Sequence, residues 1–472
     1  MIGITSMGVY IPYPRLSRDI IAKALGRGSL KGERSVANND EDTVTMSVEA
    51  TLNCLRAVDQ VNVDGVYFAS TSAPYLEKSS AGMVATVCDL SDQIVTIDFT
   101  NTLRAGTGAL RAALDAVKAG SLKNIVVTAA ECRLGYPRSN EEQFFGDGAA
   151  AIAVGSDKVV AEFVDIYSVN NEIVDVWRNY NDTFVRSGEG RFILEEGYMP
   201  SMKSAITGIL KKTGLKPTDF KKIVLTTPDM KSYQSIAKKT GFDVTQTQDA
   251  LMAQVGSTGT AQSLMLLVAA LEETEPGDLI LVAAYGNGAD AFVFRATEEI
   301  KKLKPKTVKK QLDNKMLLPT YEKYLTYRGI LELQPGEPFR LFPSNSAYWR
   351  DQRSILRFHG SQCTKCRATI FPIQRVCYSC KAKDEFVEIP CASKKAKMFT
   401  YTIDNLAGRS DDPVIVQSVV DAEDGTRFYL LMTDCANPAD VKIGMEVEFT
   451  FRKIWEGGNF NNYYWKCRPV RD

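Results

Sequence analysis

The chain has 472 residues, 44% hydrophobic and 24% charged, an ordinary balance for a globular protein of two or three domains. Its 57 Lys and Arg offset 57 Asp and Glu, so the basic excess of a general nucleic-acid binder is missing. Apolar runs fall short of the roughly 18 residues a membrane span needs, and the opening MIGITSMGVYIP lacks the pattern of a secretory leader. Ten cysteines are too few for a disulfide scaffold, so a cytoplasmic protein with free thiols is expected, with no nucleic-acid or membrane partner. The single histidine is His359, so chemistry in the first 350 residues must do without the usual neutral-pH acid–base group.

The first 300 residues contain a repeat. Leu103–Glu131 (LRAGTGALRAALDAVKAGSLKNIVVTAAE) aligns without a gap on Ser257–Tyr285 (STGTAQSLMLLVAALEETEPGDLILVAAY) at a shift of 154. Each copy opens with small residues, continues as an apolar helix, turns, and ends in a buried strand. Gly146–Val154 (GDGAAAIAV) then matches Gly286–Phe294 (GNGADAFVF), the first copy carrying 14 extra residues, Cys132–Phe145. The alternative is two unrelated units with generic patterns; two linked matches in the same order favour duplication. The expectation is two α/β halves, residues 1–157 and 158–298, with strands such as IVVTAA, IVLTT and LILVAA covered on both faces by helices.

Residues 301–315 hold seven lysines in KKLKPKTVKKQLDNK and are expected within a solvated linker, 299–340, with phosphate attraction toward a CoA ligand as the alternative. Next come CTKC and CYSC, ten residues apart. Each Cys-x-x-Cys turn aims two sulfurs at one point, so Cys363, Cys366, Cys377 and Cys380 are expected to hold a structural zinc ion in a ribbon over 341–385. Accidental pairing or a redox pair is the alternative. His359, four residues ahead, is expected at the surface. Over 386–472, AKMFTYTI, PVIVQSVV, RFYLLMTD, MEVEFTF and NYYWKCRPV read as the five strands of a small barrel.

The motifs GVYIP, FFGDGAAAIAVG, GSTGTAQSLMLLVAALE and GDLILVAAYGNGADAFVF make the first 330 residues resemble the thiolase superfamily, in particular hydroxymethylglutaryl-CoA synthases and type III ketoacyl synthases. The resemblance implies a duplicated, five-layered αβαβα body in which the two repeated helices are buried and their N-termini meet at the active site. It also implies a homodimer through the strand near 94–100. The remainder resembles the zinc-ribbon plus OB-fold domain associated with acyl-CoA enzymes of this superfamily, with a partner enzyme that supplies or takes the acyl-CoA.

The resemblance also locates what this chain lacks. Leu103-Arg104-Ala105-Gly106-Thr107 stands where the family has its cysteine nucleophile, Thr226-Thr227-Pro228-Asp229 where it has a histidine motif, and Gly256-Ser257 where it has Gly-Asn. The glutamate of the hydroxymethylglutaryl branch falls near Thr86. Leucine cannot carry an acyl group, and Cys88 and Cys132 read as small buried residues. A helix N-terminus at Leu103 and Ser257 and backbone N–H groups of the Gly286–Gly288 loop remain to stabilise an oxyanion or enolate. The first expectation is therefore aldol or retro-aldol chemistry on a 3-hydroxyacyl-CoA without an acyl-enzyme. The alternatives are a Claisen-type condensing acyltransferase with another nucleophile and a non-catalytic acyl-CoA-binding scaffold. Base candidates are Tyr285, Asp229 and then Glu131, although Tyr285 also reads as a packing residue and Asp229 as a helix cap.

Overall fold

The computed structural model describes residues 1–56, 62–303, 307–333, 344–409 and 411–470. Its contacts separate two units: Met1–Ala37, Asp42–Ala85 and Ser91–Tyr321 in the first, Asn38–Glu41, Thr86–Leu90 and Glu322–Asp472 in the second.

The first unit is built on β1 (Gly3–Tyr10), β2 (Gly65–Ala69), β3 (Val95–Phe99), β4 (Ile125–Glu131), β5 (Gly148–Gly155), β6 (Ala161–Asn170), β7 (Phe220–Leu225), β8 (Leu279–Tyr285) and β9 (Gly288–Ala296). They form one ladder in the order β7-β8-β9-β6-β1-β5-β4-β2-β3. Outward from its middle the order repeats, β1-β5-β4-β2 on one side and β6-β9-β8-β7 on the other. The join is thin: β1 and β6 pair only at Gly3↔Glu162 and Ile4↔Ala161.

The helices that matter for the site are α1 (Thr43–Arg56), α2 (Ala105–Ala119), α3 (Met199–Thr213), α4 (Met230–Lys239) and α5 (Gln262–Leu271). Strand alternation assigns their layers. In β4, Ile125, Val127 and Ala129 join a core with Ala109, Leu110 and Ala113 of α2. Thr128, pointing the other way, donates its hydroxyl to the Ser47 carbonyl of α1. In β8, Ile280 and Val282 share that same core with α5, while Leu281 and Ala283 pack with Met202, Ala205 and Ile206 of α3. The body is thus α1, first-half strands, the α2–α5 pair, second-half strands, then α3. Every residue of α5 is buried, as a helix apolar all round requires.

Gly106 explains how the central pair fits. A Cβ there would stand 2.3 Å from the carbonyl oxygen of Thr260, its counterpart in the repeat. The two helix starts therefore meet backbone to backbone, an approach only glycine permits.

The lysine-rich stretch is not simply a solvated linker. Thr307–Asp313 is helical, and Val308 enters the body core. Gln311 accepts from the Ile11 N–H at 2.7 Å and donates to the Val9 carbonyl at 2.9 Å. Met316–Leu317 pairs in parallel with Pro14–Arg15. Apolar and amide side chains anchor the segment while Lys309 and Lys310 stay in solvent. Residues 304–306 and the expected boundary at 340 lie outside the described residues.

Among the described residues the second unit has two sheets. β10 (His359–Cys363), β11 (Thr369–Ile370) and β12 (Phe386–Pro390) form a three-stranded sheet with β10 central. β13 (Ala396–Asp404), β14 (Ile415–Ala422), β15 (Arg427–Leu431), β16 (Glu446–Gly457) and β17 (Phe460–Pro469) are ordered β15-β14-β13-β16-β17. A parallel bridge, Met432↔Cys467, and the Thr433 N–H on the Cys467 carbonyl at 2.9 Å join the two edges into a closed barrel. Phe358, Phe428, Phe449 and Trp465 fill it.

Charge is buried here too. Arg452 bonds to Glu41 and, at 2.7 Å, to Asp434, all three side chains without solvent exposure. Asp40 accepts from Thr433 at 2.8 Å and Lys466 at 2.9 Å. Among the described residues no helix is long and apolar enough to cross a membrane.

Candidate functional site

Leu103 stands just ahead of α2. A Cβ on Gly286 would lie 3.0 Å from the Arg104 nitrogen and 3.2 Å from Leu103 Cβ, so the second-half glycine turn seats directly on the first-half helix start. The reciprocal contact joins Ser257 to the first-half turn: the Gly146 N–H donates to the Ser257 carbonyl at 3.0 Å, and the Ser257 N–H donates to the Phe144 carbonyl at 2.8 Å. The Tyr285 N–H donates to Thr226 Oγ1 at 2.9 Å. Leu103, Gly286, Tyr285 and Thr226 are thereby one contiguous group, while Ser257 belongs to the mirrored contact.

The glycine loop does not offer what its sequence promised. The Gly286 N–H donates to the Gly288 carbonyl at 3.0 Å and is occupied within the turn. Gly288, at φ +112°, presses against Val169, whose carbonyl oxygen would be 2.2 Å from a Cβ. The loop is instead clamped by Arg104, which sequence reasoning passed over. Its guanidinium donates to the carbonyls of Gly286 at 2.5 Å and Asn287 at 2.9 Å, and pairs with Asp290 at 3.1 Å. Thr107 also donates to Asp290, at 2.8 Å. The available signal was an arginine among small residues and an aspartate inside the otherwise apolar ADAFVF.

The three base candidates differ sharply. Tyr285 is half-buried, and its hydroxyl is enclosed without a hydrogen-bond partner among the described residues. Burial, and then the nearby Asp175 carboxylate, push its pKa up, away from a role as base. Asp229 caps α4, accepting from the Ser232 N–H at 2.8 Å and the Ser232 hydroxyl at 2.5 Å, and remains half-exposed. Glu131 is fully buried at the end of β4. Its oxygens take the hydroxyls of Ser72, Thr260 (3.1 Å) and Ser70 (3.5 Å), and the N–H groups of Thr260 (3.3 Å) and Thr71 (3.4 Å). Thr86 lies in the helix Ser80–Val87, with Cys88 buried just beyond; Cys132 directly follows β4.

In the second unit the four cysteine sulfurs lie within 4.8 Å of one another. Cys363 and Cys380 are 3.6 Å apart and Cys366 and Cys377 3.5 Å. That is too far for a disulfide, at about 2.05 Å, and near the roughly 3.8 Å edge of a tetrahedron with metal–sulfur distances of about 2.3 Å. The two turns match: Arg367 (φ 65°) donates its N–H to Cys363 at 3.0 Å, and Lys381 (φ 61°) to Cys377 at 3.1 Å. The donor set and spacing fit a tetrahedral, thiolate-binding metal.

His359 is not a surface residue. It is 8% exposed, with ring nitrogens 2.8 Å from Asp89 and 3.2 Å from Glu388. Arg357 shares Asp89 at 3.0 Å, and Arg353 shares Glu388 at 3.0 Å. The Asp89 hydrogen bond, ahead of the opposing effect of burial, raises the pKa of His359.

Residues 210–295 match the family model of the 3-oxoacyl-[acyl-carrier-protein] synthase III C terminal. A hydroxymethylglutaryl-CoA synthase of Methanothermobacter thermautotrophicus is 33% identical over 348 residues, 71% of this chain and 100% of that protein. One from Methanocaldococcus jannaschii is 33% identical over 321 residues, 66% of this chain and 93% of that protein. The fold is that of a solved HMG-CoA synthase complexed with CoA (TM-score 0.63, 20% identity, 73% of this chain and 94% of that one). It is also that of 3-oxoacyl-[acyl-carrier-protein] synthase III from Aquifex aeolicus VF5 (TM-score 0.58, 22% identity, 62% and 100%). The body has this thiolase-like fold, and the chain belongs to the hydroxymethylglutaryl-CoA synthase family.

Proposed function

We propose that the body acts on CoA thioesters as a condensing enzyme of the hydroxymethylglutaryl-CoA synthase type, forming a carbon–carbon bond next to a thioester carbonyl. The observation that supports this reading most is the match across the whole length of a synthase relative, on a body that keeps the two buried helix starts in contact. The start of α2 supplies oriented backbone dipoles for a developing oxyanion, and the Arg104–Asp290 clamp fixes the turn against it.

Leu103 favours a second reading, direct aldol or retro-aldol chemistry on a 3-hydroxyacyl-CoA, because no acyl-enzyme can form at that position. Asp229 is the base candidate that solvent reaches, and Glu131 is better suited to holding the hydroxyl-lined loop 70–72. Incubation of the purified chain with labelled acetyl-CoA and acetoacetyl-CoA, rapid quenching and intact-mass analysis separates the readings. Condensation with a transient acyl adduct supports the first. Turnover without an adduct supports the second, and neither adduct nor product leaves a scaffold.

The cysteine cluster is read as a structural zinc site, Cys363, Cys366, Cys377 and Cys380 holding the ion through four thiolates with no open position. The barrel beside it in sequence is read as an OB-fold, since five strands close through the third and fifth. The body is read as a homodimer: β3 is an edge strand whose Val95 and Ile97 are 41% and 40% exposed, and pairing with a second copy would cover it. Light scattering at micromolar concentration should give twice the chain mass; a monomer would end that reading.

A further inference from the structure

Strands β2 and β4 run parallel and side by side, Ala69 against Ala129, so the chain leaves both at the same edge of the sheet. Ligand sites in α/β sheets gather at such carboxyl ends. Here residues 70–72 follow β2, and Glu131 ends β4. Alternation along β4 puts Glu131 on the same face as Ala129, toward the paired helices, and sets Cys132 on the opposite face. A Cβ on Gly259 would stand 2.8 Å from Glu131 Oε2 and 3.0 Å from Arg133 Nε. The next residue, Thr260, is the one whose carbonyl meets Gly106 of α2. Carboxylate and guanidinium therefore flank one glycine beside the helix starts.

The Ser72 hydroxyl donates to Glu131 Oε1. It also accepts the Cys132 N–H at 2.8 Å, which leaves a lone pair for attack. Ser72 is half-buried, whereas Ser70 is 1% exposed. Glu131 is oriented in turn by the Thr260 hydroxyl at 3.1 Å and the N–H groups of Thr260 at 3.3 Å and Thr71 at 3.4 Å. Arg178 donates to the Thr71 carbonyl and ties down the same loop. Hydroxyl, carboxylate and orienting donors thus stand in the sequence that activates a nucleophile.

Arg133 supplies what such a group still needs. It is 5% exposed, and among the described residues its guanidinium makes no hydrogen bond and no ion pair. It lies over the Phe145 ring, 4.2 Å from the centroid, which uses none of its in-plane donors. A buried cation with idle donors is costly unless negative charge completes it. A tetrahedral oxyanion is such a charge, and it exists only while the reaction passes through it.

We propose that Ser72 is the acyl acceptor of this chain, with Glu131 taking its proton and Arg133 holding the oxyanion. This rests on the condensing reading above and supplies the nucleophile that Leu103 cannot be. As Ser72 Oγ bonds to the thioester carbonyl carbon, its proton passes to Glu131. The carbonyl oxygen becomes an oxyanion against the Arg133 guanidinium. When the carbonyl re-forms, the C–S bond breaks. The CoA thiolate takes the proton from Glu131, leaving free CoA and an acyl ester on Ser72.

The test is incubation of the full chain with acetyl-CoA or acetoacetyl-CoA, rapid quenching in acid, and peptide mapping by mass. One acyl group should appear on the peptide that contains Ser72, as an oxygen ester that survives neutral hydroxylamine. Ser72→Ala should abolish it and lower condensation by about a hundredfold or more, with CoA-ester affinity unchanged. Ser72→Cys keeps a nucleophile and serves if the alanine variant does not fold; it should carry the group as a thioester that neutral hydroxylamine removes. Arg133→Gln should slow acylation by about a hundredfold without weakening ester binding, and Arg133→Lys should recover part of the rate. An adduct on any other residue, Cys88 or Cys132 included, would overturn the proposal and leave the condensing reading standing. So would condensation by Ser72→Ala at the wild-type rate. If the wild type gives neither adduct nor product, the condensing reading fails first and takes this one with it.

Discussion

The centre of the body and the C-terminal unit are held together in opposite ways. Where α2 meets α5, side chains are removed: Gly106 lets one backbone touch the other, and the surrounding contacts are Ala, Leu and Val. The C-terminal unit instead brings together Arg452, Glu41 and Asp434 without solvent, His359 between two carboxylates, and four cysteine sulfurs. The difference follows from size. The large body has apolar area to spare and can devote glycine to geometry, whereas a small unit buries less apolar surface for its size and leans more on polar contacts. The lesson for function is that the body's central contact is shaped for position, and the second unit's polar groups serve cohesion.

The comparison predicts unequal costs. Cys363→Ser, or chelation, should be the most damaging change if the four thiolates hold a zinc ion, on the order of several kcal/mol or more, because metal affinity would then be folding free energy. Elemental analysis of the wild type should find one zinc per chain, and hydrogen exchange should show β10–β12 losing protection in the variant while α2 and α5 keep theirs. No zinc, or iron in its place, would break the metal half of the contrast. Arg452→Met should cost about 3–5 kcal/mol by chemical denaturation, since Glu41 would lose the buried cation it pairs with and Asp434 would keep only the more distant Arg468, at 3.9 Å.

In the body, Gly106→Ala should cost about 1–3 kcal/mol from overpacking against Thr260 and should also depress turnover, because the helix starts must separate. A substitution that leaves both stability and rate untouched would show that the contact is not positional. Asp229→Asn should lower kcat by about a hundredfold with CoA-ester binding intact if Asp229 is the base, and Ser232→Ala, which removes only its capping partner, should lower it far less.

The smallest effect concerns pH. His359 has a raised pKa in the folded state, so its contribution is fully present below the ordinary value of about 6.5 and is lost as pH rises through the higher folded value. Melting of the second unit should fall slightly between about pH 6 and 8, by less than about 1 kcal/mol because Asp89 and Glu388 are partly solvated. His359→Gln should flatten that slope.

Much of this was legible in the sequence where the signal is local. The repeat showed as two runs of small residues followed by apolar helix and strand, the four cysteines by their spacing, and the barrel strands by alternation between turns. What stayed hidden depends on partners far away in the chain. Arg104 and Asp290 are 186 residues apart, and Glu41 and Arg452 are 411 apart, so neither pair leaves a local pattern. His359 looked superficial because its carboxylates come from Asp89 and Glu388. The Gly286 N–H looked available because a glycine turn is open in sequence, yet the turn closes on itself through Gly288. Lysines around Val308 and Gln311 concealed a helix anchored by those two side chains.

The central claim is that a body without a nucleophile at position 103 still does carbon–carbon chemistry on CoA thioesters. Mass analysis of the CoA esters after incubation of the purified chain with acetyl-CoA and a panel of 3-oxoacyl-CoA and 3-hydroxyacyl-CoA esters tests it most directly. The account predicts a new ester whose carbon count is the sum or the difference of the reactants, formed more slowly by Gly106→Ala and Asp229→Asn. Esters that bind yet are recovered unchanged would contradict it and leave the chain as an acyl-CoA-binding scaffold.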